Sequence, residues 1–582
     1  MAPVIEVEGL AFRYPGAEVD SLTGVDLVIE RGDFVAVVGG NGSGKTTLCK
    51  SLNGLIPHFW AGRFDGSVRV AGVDTRDSSV ASLSSLVGYV YQDFGNQLIR
   101  PTVRQDVEFG PINFGLEDFA DRSAEALDQL GIGHLASTFI WQLSGGQQHL
   151  TALAGVLAMR PQVIVVDEPV AELDPARAEE VYRMLTRINH ELGTTVVVIE
   201  HHAEFIARYA RSVALMADGA LRWHLPTREA LGRADELEAH GIPAPQVVEA
   251  VRRIAPGAEV PLTVAEATET LRPLIRPQAE APPLPAEVSP GLHDATGAPG
   301  APGAGNVVAS LRAVGYGYRD VHNNLETVLD AVSLDLHEGE RVAVVGSNGA
   351  GKSTLLRLLT GLVVPRSGEV EIEGVNTRSK SPAELADRVS YLHQHPEQMF
   401  LKDSVRSDIA MFPHQRGRPG TDELVDRILD QLSLDHLAER DGRTLSGGQQ
   451  RRATLGIGLA MTPTLLLLDE PTSSLDVRTR QDVTAMLATL AERIRCVVVA
   501  THDMHLVAEW ATRVIVLHAG GVLADTTPAT LFDDPGLLAS VNLVAPQVTL
   551  LGHALGVRPA PLCVDDLVRR TIDADCPVAG AT

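Results

Sequence analysis

The stretch Gly39-Gly40-Asn41-Gly42-Ser43-Gly44-Lys45-Thr46-Thr47 leaves the chain few folds to choose from. It fits G-x-x-x-x-G-K-[ST] and follows directly on Phe34–Val38, an apolar run that predicts a buried parallel strand. Leu48, Leu52 and Leu55 are spaced for a helix behind it. Strand, glycine loop and helix together make an anion cradle, because successive backbone N–H groups and the helix N-terminus converge on one point. In that geometry Gly39, Asn41, Gly42, Gly44 and Thr47 wrap a phosphate chain, Lys45 reaches its outer phosphates, and the Thr46 hydroxyl sits on Mg²⁺.

The same loop returns as Gly346-Ser347-Asn348-Gly349-Ala350-Gly351-Lys352-Ser353-Thr354, with Ser353 in the Mg²⁺ position. Only five of the 49 basic residues are lysine, and two of those five are Lys45 and Lys352. A chain that otherwise uses arginine keeps lysine where a compact ammonium must enter a narrow cradle.

The repeat extends beyond the loops. Gln92 and Gln394, Ser144 and Ser446, and Asp167 and Asp469 are each 302 residues apart, and Ala244-Pro245-Gln246-Val247 returns as Ala545-Pro546-Gln547-Val548. At 582 residues the chain is too long for one core. It divides into a first nucleotide domain (1–225) with a C-terminal extension (226–274), a linker (275–305), a second domain (306–525) and a second extension (526–582). The linker is rich in Pro, Ala and Gly and is expected to be an extended or coiled tether.

Composition excludes several classes. The net charge of −25 argues against nucleic acid as a partner, since phosphate backbones require clustered basic surface. Four scattered cysteines make neither a zinc site nor a disulfide framework. Met1–Glu6 lacks the basic and apolar regions of a signal peptide, and no window is apolar enough to cross a bilayer.

The remaining motifs come in matched pairs. Tyr14 and Tyr318 close short strands before each loop, where an aromatic either packs or stacks on a base. Gln92 and Gln394 follow short strands and can orient water or Mg²⁺. Leu143-Ser144-Gly145-Gly146-Gln147 and Leu445-Ser446-Gly447-Gly448-Gln449 open helices, and a serine with two glycines there makes a second anion cradle. Val163–Val166 and Leu465–Leu468 predict buried strands ending in Asp167-Glu168 and Asp469-Glu470. The aspartates suit Mg²⁺ through its water shell, and the glutamates suit a general base for an attacking water. His201 and His502 follow two further buried strands and can sense a terminal phosphate.

This order of motifs, twice over, resembles the ATP-binding cassette (ABC) ATPases. The resemblance implies an α/β fold of two P-loop NTPase cassettes in one chain, each with a helical signature subdomain. It also implies ATP and Mg²⁺ as ligands and an intramolecular head-to-tail pair of cassettes. In one composite site Lys45, Thr46, Gln92, Asp167, Glu168 and His201 would face Ser446, Gly448 and the region of Asp476. In the other, Lys352, Ser353, Gln394, Asp469, Glu470 and His502 would face Ser144, Gly146 and Asp174.

Leu52–Phe59, the segments Gly95–Leu98 and Pro396–Phe400 after the two glutamines, and the repeated Ala-Pro-Gln-Val look like the energy-coupling factor (ECF) importers of vitamins and metals. That likeness implies a transmembrane coupling protein and a small membrane substrate-binding protein as separate partners, at the cytoplasmic face of the membrane. A tandem sugar-importer ATPase is the alternative, and a ribosome-associated cassette protein fits the acidic charge and the Pro-rich joint less well. The two halves also differ. His149-Leu150 stands against Arg451-Arg452, with Arg452 at the position where family members carry arginine. Val170 stands against Thr472, and Glu200-His201-His202 against Thr501-His502-Asp503. Two competent but unequal sites are expected.

Overall fold

The computed structural model describes residues 3–92, 94–170, 175–275, 305–319, 323–473, 475, 477–491 and 493–571. The chain separates into two compact units, Met1–Leu274 and Ile275–Thr582. Most of the Pro-rich linker lies outside the described residues, as do Asp174 and Asp476.

In the first unit the strands are β1 (Pro3–Arg13), β2 (Leu22–Glu30), β3 (Phe34–Val38), β4 (Arg63–Val70), β5 (Val73–Asp74), β6 (Val87–Val90), β7 (Val163–Asp167), β8 (Thr195–Ile199), β9 (Ser212–Ala217) and β10 (Ala220–Pro226). They form an antiparallel sheet, β2-β1-β4-β5, and a six-stranded sheet, β10-β9-β3-β8-β7-β6. The latter is parallel except at its β10 edge. Every residue of β3, β7 and β8 is buried, which is why these strands read as unbroken runs of Val and Ile rather than alternating patterns.

The second unit repeats the plan with β11 (Val307–Arg319), β12 (Leu325–His337), β13 (Arg341–Val345), β14 (Ser367–Ile372), β15 (Val375–Asn376), β16 (Val389–Leu392), β17 (Leu465–Asp469), β18 (Cys496–Ala500), β19 (Arg513–His518) and β20 (Gly521–Thr526). Its sheets run β12-β11-β14-β15 and β16-β17-β18-β13-β19-β20. In both units the loop-bearing strand sits centrally, so its carboxyl end opens beside those of its parallel neighbours, where open α/β sheets place ligands.

Each unit carries a helical subdomain between the strand before its glutamine and the strand before its Asp-Glu pair. In the first it contains Val103–Asn113, Phe119–Gln129 and the signature helix Gly145–Leu157. In the second it contains Val405–Gln415, Thr421–Gln431 and Gly447–Ala460. Short helices, Thr227–Gly232, Ala234–Ala239, Gln246–Ile254 and Val264–Leu271, follow β10.

One local expectation is corrected. The helix behind the first loop stops at Leu52 and does not include Leu55. Gly54 takes a left-handed φ of 73°, and a separate four-residue turn begins at Leu55.

Candidate nucleotide and catalytic sites

Both glycine loops wrap into tight cradles at the ends of β3 and β13. Gly39 and Gly346 have φ of 148°, and a Cβ on either would stand 2.1 Å from the Met216 carbonyl oxygen or 2.3 Å from that of Leu517. Only glycine fits this approach of the loop to the neighbouring strand. Lys45 Nζ donates to the carbonyls of Gly39 (2.8 Å) and Gly40 (2.9 Å), and Lys352 Nζ to those of Gly346 (2.8 Å) and Ser347 (3.3 Å). The buried ammonium is thus held over the concave side of its own loop. Asn41, Gly42, Asn348 and Gly349 form the loop tips, and Gly44 and Gly351 take φ of 98° and 100° as the helix caps.

The hydroxyl after each lysine meets the aspartate of the neighbouring strand. The Thr46 hydroxyl stands beside Asp167 and lowers its carboxyl, and Ser353 Oγ donates to Asp469 Oδ1 at 3.1 Å. Tyr89 and Tyr391 donate to the second oxygens of the same aspartates, at 3.3 and 2.9 Å. Burial, reinforced by the adjacent Glu168 carboxylate, pushes Asp167 up to about 6 against the pull of Thr46, Tyr89 and Lys45. Hydroxyl and carboxylate oxygens with no thiolate or imidazole suit a hard cation that keeps several waters, so the donor set fits Mg²⁺. Among the described residues no cluster of three His, Cys, Asp or Glu forms any other metal site.

Glu168 and Glu470 follow those aspartates with left-handed φ of 52° and 47°. Such backbone costs about 1–3 kcal/mol in a residue other than glycine and persists where the surroundings enforce it. The backbone N–H of each donates to the next strand, to the carbonyls of Ile199 and Ala500. The side chains are then held differently. Glu168 accepts from Gln92 Nε2 at 2.7 Å and from His201 Nε2 at 3.2 Å. Glu470 bonds His502 Nδ1 at 2.9 Å and accepts from the Thr501 hydroxyl at 3.3 Å and the His502 N–H at 3.4 Å. The Glu168 side chain is 19% exposed and that of Glu470 is 9%. Burial alone would raise the Glu470 carboxyl, but His502 and Lys352 hold it below its ordinary range. Burial would lower His502, and Glu470 outweighs it, leaving the imidazole above its ordinary value.

Tyr14 and Tyr318 lie against the helix behind each loop, their hydroxyls 3.3 Å from Thr47 Oγ1 and 3.4 Å from Thr354 Oγ1. Phosphate loop, tyrosine, glutamine, Asp-Glu pair and histidine therefore gather at one end of each parallel sheet, although Gln394 sends no side-chain hydrogen bond to Glu470 among the described residues. The signature residues are not drawn into that cluster. Ser144 and Ser446 instead cap the signature helices, exchanging bonds with Gln147 and Gln449. Ser144, Gly145, Ser446 and Gly447 are exposed, whereas Gly146 is half-buried and Gly448 buried. Each signature helix thus opens on an exposed N-terminal turn, where backbone N–H groups and the helix dipole favour an anion.

Comparison with known proteins decides the lineage. The family profile described as ABC transporter matches residues 22–171 and 329–473. The chain belongs to the ABC transporter family. A Methanosarcina mazei relative with the provisional description ABC transporter ATP-binding protein is 33% identical, covering 97% of each chain. One of the same description from Streptomyces avermitilis is 37% identical over 94% of this chain and 97% of its own. The solved structure of cbiO1 from Clostridium perfringens, part of the ABC transporter complex cbiONQ, matches at 31% identity and a TM-score of 0.37, over 41% of this chain and 94% of that one. This chain is accordingly an ABC transporter ATPase with two cassettes, and ABC ATPases bind and hydrolyse ATP and work with transmembrane proteins. No helix among its own described residues is long and apolar enough to cross a membrane.

The geometry also exposes residues that sequence reading passed over in this ABC ATPase. Asp106 and Asp408 each turn one oxygen to two backbone N–H groups of the segment after the glutamine: Ile99 and Arg100 at 2.8 Å, and Leu401 and Lys402 at 2.8 and 2.9 Å. Burial raises both carboxyls, opposed by those N–H bonds. They pin the segment to the first helix of the signature subdomain, and their positions in the first helical turn, where acids are common, gave no warning of it.

At the signature helix the sequence singled out Leu150 and Arg452, but the consequential pair stands one residue earlier. Arg451 is buried and donates to the carbonyls of His393 (3.0 Å) and Gln394 (2.9 Å), tying helix to glutamine loop. Burial pushes its guanidinium down to about 10. Its counterpart His149 stacks on Phe94 at 5.1 Å, is pushed down to about 4 by burial, and among the described residues leaves Nδ1 without a partner. Arg452 only reaches the Leu432 carbonyl at 3.3 Å.

Proposed function

We propose that the chain is the fused motor of an ECF-type importer, its two cassettes closing head to tail on two ATP molecules. The observation that carries the reading is the complete duplication of cradle, Asp-Glu pair and histidine, set beside signature helices whose N-termini face solvent. Lys45 and Lys352 neutralise the terminal phosphates, and Glu168 and Glu470 take the proton of the attacking water. His201 and His502 keep those glutamates in place. Thr46 and Asp167, or Ser353 and Asp469, with Gln92 or Gln394 alongside, would hold Mg²⁺, which would supply positive charge to the phosphate oxygens.

Ser446, Gly447 and Gly448 complete the Lys45 site, and Ser144, Gly145 and Gly146 complete the Lys352 site. The ECF assignment is supported by Leu52–Phe59, by the segments after Gln92 and Gln394, and by the repeated Ala-Pro-Gln-Val. Those post-glutamine segments, with exposed Ile99 and Leu401, are the surface offered to a transmembrane coupling protein at the cytoplasmic face of the membrane. A small membrane protein then carries the vitamin or metal ion.

Purification of the chain from membranes with its partners tests this reading. Recovery of one coupling protein and one small ligand-carrying membrane protein is the expected result. Recovery of a pair of large transmembrane subunits with a sugar-binding protein would replace it with the sugar-importer reading.

A further inference from the structure

The residue before each histidine is the sharpest chemical difference between the two sites: Glu200 in the first cassette, Thr501 in the second. Both hang from the same backbone position, with the Glu200 N–H donating to the Val37 carbonyl (3.3 Å) and the Thr501 N–H to that of Val344 (3.0 Å). Thr501 is a donor to the catalytic carboxylate of its own site, at 3.3 Å. A buried carboxylate at that position can donate nothing.

Glu200 is locked in place by its own network. One oxygen accepts from the backbone N–H of His201 (2.7 Å) and His202 (2.8 Å) and bonds His202 Nδ1 (2.7 Å); the other accepts the Tyr182 hydroxyl. Burial alone would raise the carboxyl, yet His202 and Tyr182 hold it down to about 2. Tyr182 is fixed in turn by stacking on Phe205 and Tyr209. In the second cassette the matching helix position is Thr484, and the buried acid moves to Asp503, which bonds Thr472 and caps the following helix. That accounts for Val170 where the second cassette has Thr472.

Three differences follow around the base. Among the described residues Glu168 has no hydroxyl donor behind it, and it turns to Gln92. His201 meets Glu168 through Nε2, where His502 uses Nδ1. His201 Nδ1 is left buried without a partner among the described residues.

We propose that Glu200 is a positioning residue that denies Glu168 the buried, threonine-backed seat taken by Glu470, and so makes the Lys45 site the slower of the two. The inference rests on reading Glu168 and Glu470 as the bases. The difference reaches the glutamine loop as well: the Gln92 amide N–H is held on Glu168 at 2.7 Å, a bond that Gln394 does not make to Glu470 among the described residues.

The test uses the full chain with excess enzyme over radiolabelled MgATP in single turnover. In a Glu470→Gln background only the Lys45 site turns over, and Glu200→Thr raises its rate constant about tenfold, part of the usual worth of a positioned base. The half-saturating enzyme concentration shifts less than about twofold, the signature of a change confined to the chemical step. The reverse change, Thr501→Glu in a Glu168→Gln background, slows the Lys352 site by about the same factor, and it decides the matter alone if Glu200→Thr does not fold. Unchanged rate constants, or a change in half-saturation only, overturn the proposal. Full turnover in a Glu168→Gln/Glu470→Gln double variant removes the base assignment instead, and the inference with it.

Discussion

The two cassettes share backbone geometry at their glycine loops and Asp-Glu pairs and part company one layer behind them. In the first, the base is tethered to the glutamine loop by Gln92, and the signature helix meets that loop through a neutral histidine stacked on Phe94. In the second, the base is backed by Thr501 and His502, and the signature helix grips the glutamine loop through the Arg451 guanidinium. Beyond the Asp106 and Asp408 bonds they share, the cassettes tie their glutamine loops differently, to Glu168 through Gln92 in the first and to the signature helix through Arg451 in the second. Duplication preserves the loops and the Asp-Glu pairs, while the contacts that support them diverge.

The largest expected effect sharpens what the cassettes share. Gly39→Val and Gly346→Val each force a side chain into a carbonyl at about 2 Å, and each should abolish nucleotide binding in its own cassette, read by site-specific photolabelling. Retained binding in either would break the equivalence of the two cradles.

The next effect separates the cassettes. Arg451→Met removes the donor to two half-buried carbonyls and should destabilise its unit by about 2–4 kcal/mol, since each unmet group costs about 1–3 kcal/mol. His149→Met is close to volume-conserving and should cost less than about 1.5 kcal/mol. Denaturant titration of the two variants checks the ordering, and equal losses would deny Arg451 its role. Tyr182→Phe should cost about 1.5–3 kcal/mol, the worth of a hydrogen bond to a charged group, whereas Thr484→Val at the matching position should cost under about 1 kcal/mol. The smallest effect is expected of Thr501→Val, which removes one donor to Glu470 and should slow turnover at the Lys352 site by a few-fold, about 1 kcal/mol. No change in single-turnover rate there would detach Thr501 from the base.

The parts of these sites that could be read from sequence are those written locally. A phosphate loop is a contiguous stretch whose backbone does the binding, and a strand buried on both faces announces itself as a run of Val, Ile or Leu. The contacts that distinguish the cassettes cross long stretches of chain. Arg451 meets carbonyls more than 50 residues earlier, and Tyr182 meets Glu200 from a neighbouring helix. Sequence showed Glu200 and Thr501 as a departure and could not show that one opposes and the other supports the adjacent base. It pointed to Leu150 and Arg452 because the family pattern lies there, while burial placed the working arginine at 451. Leu55 joined the first helix on spacing alone, and the left-handed Gly54 ends it.

The inequality of the two sites is tested most directly by comparing single-turnover ATP hydrolysis in the Glu168→Gln chain, which retains Glu470, with that in the Glu470→Gln chain, which retains Glu168. The account predicts that the chain retaining Glu470 is faster, by about tenfold. Equal rates, or a faster chain retaining Glu168, would contradict it.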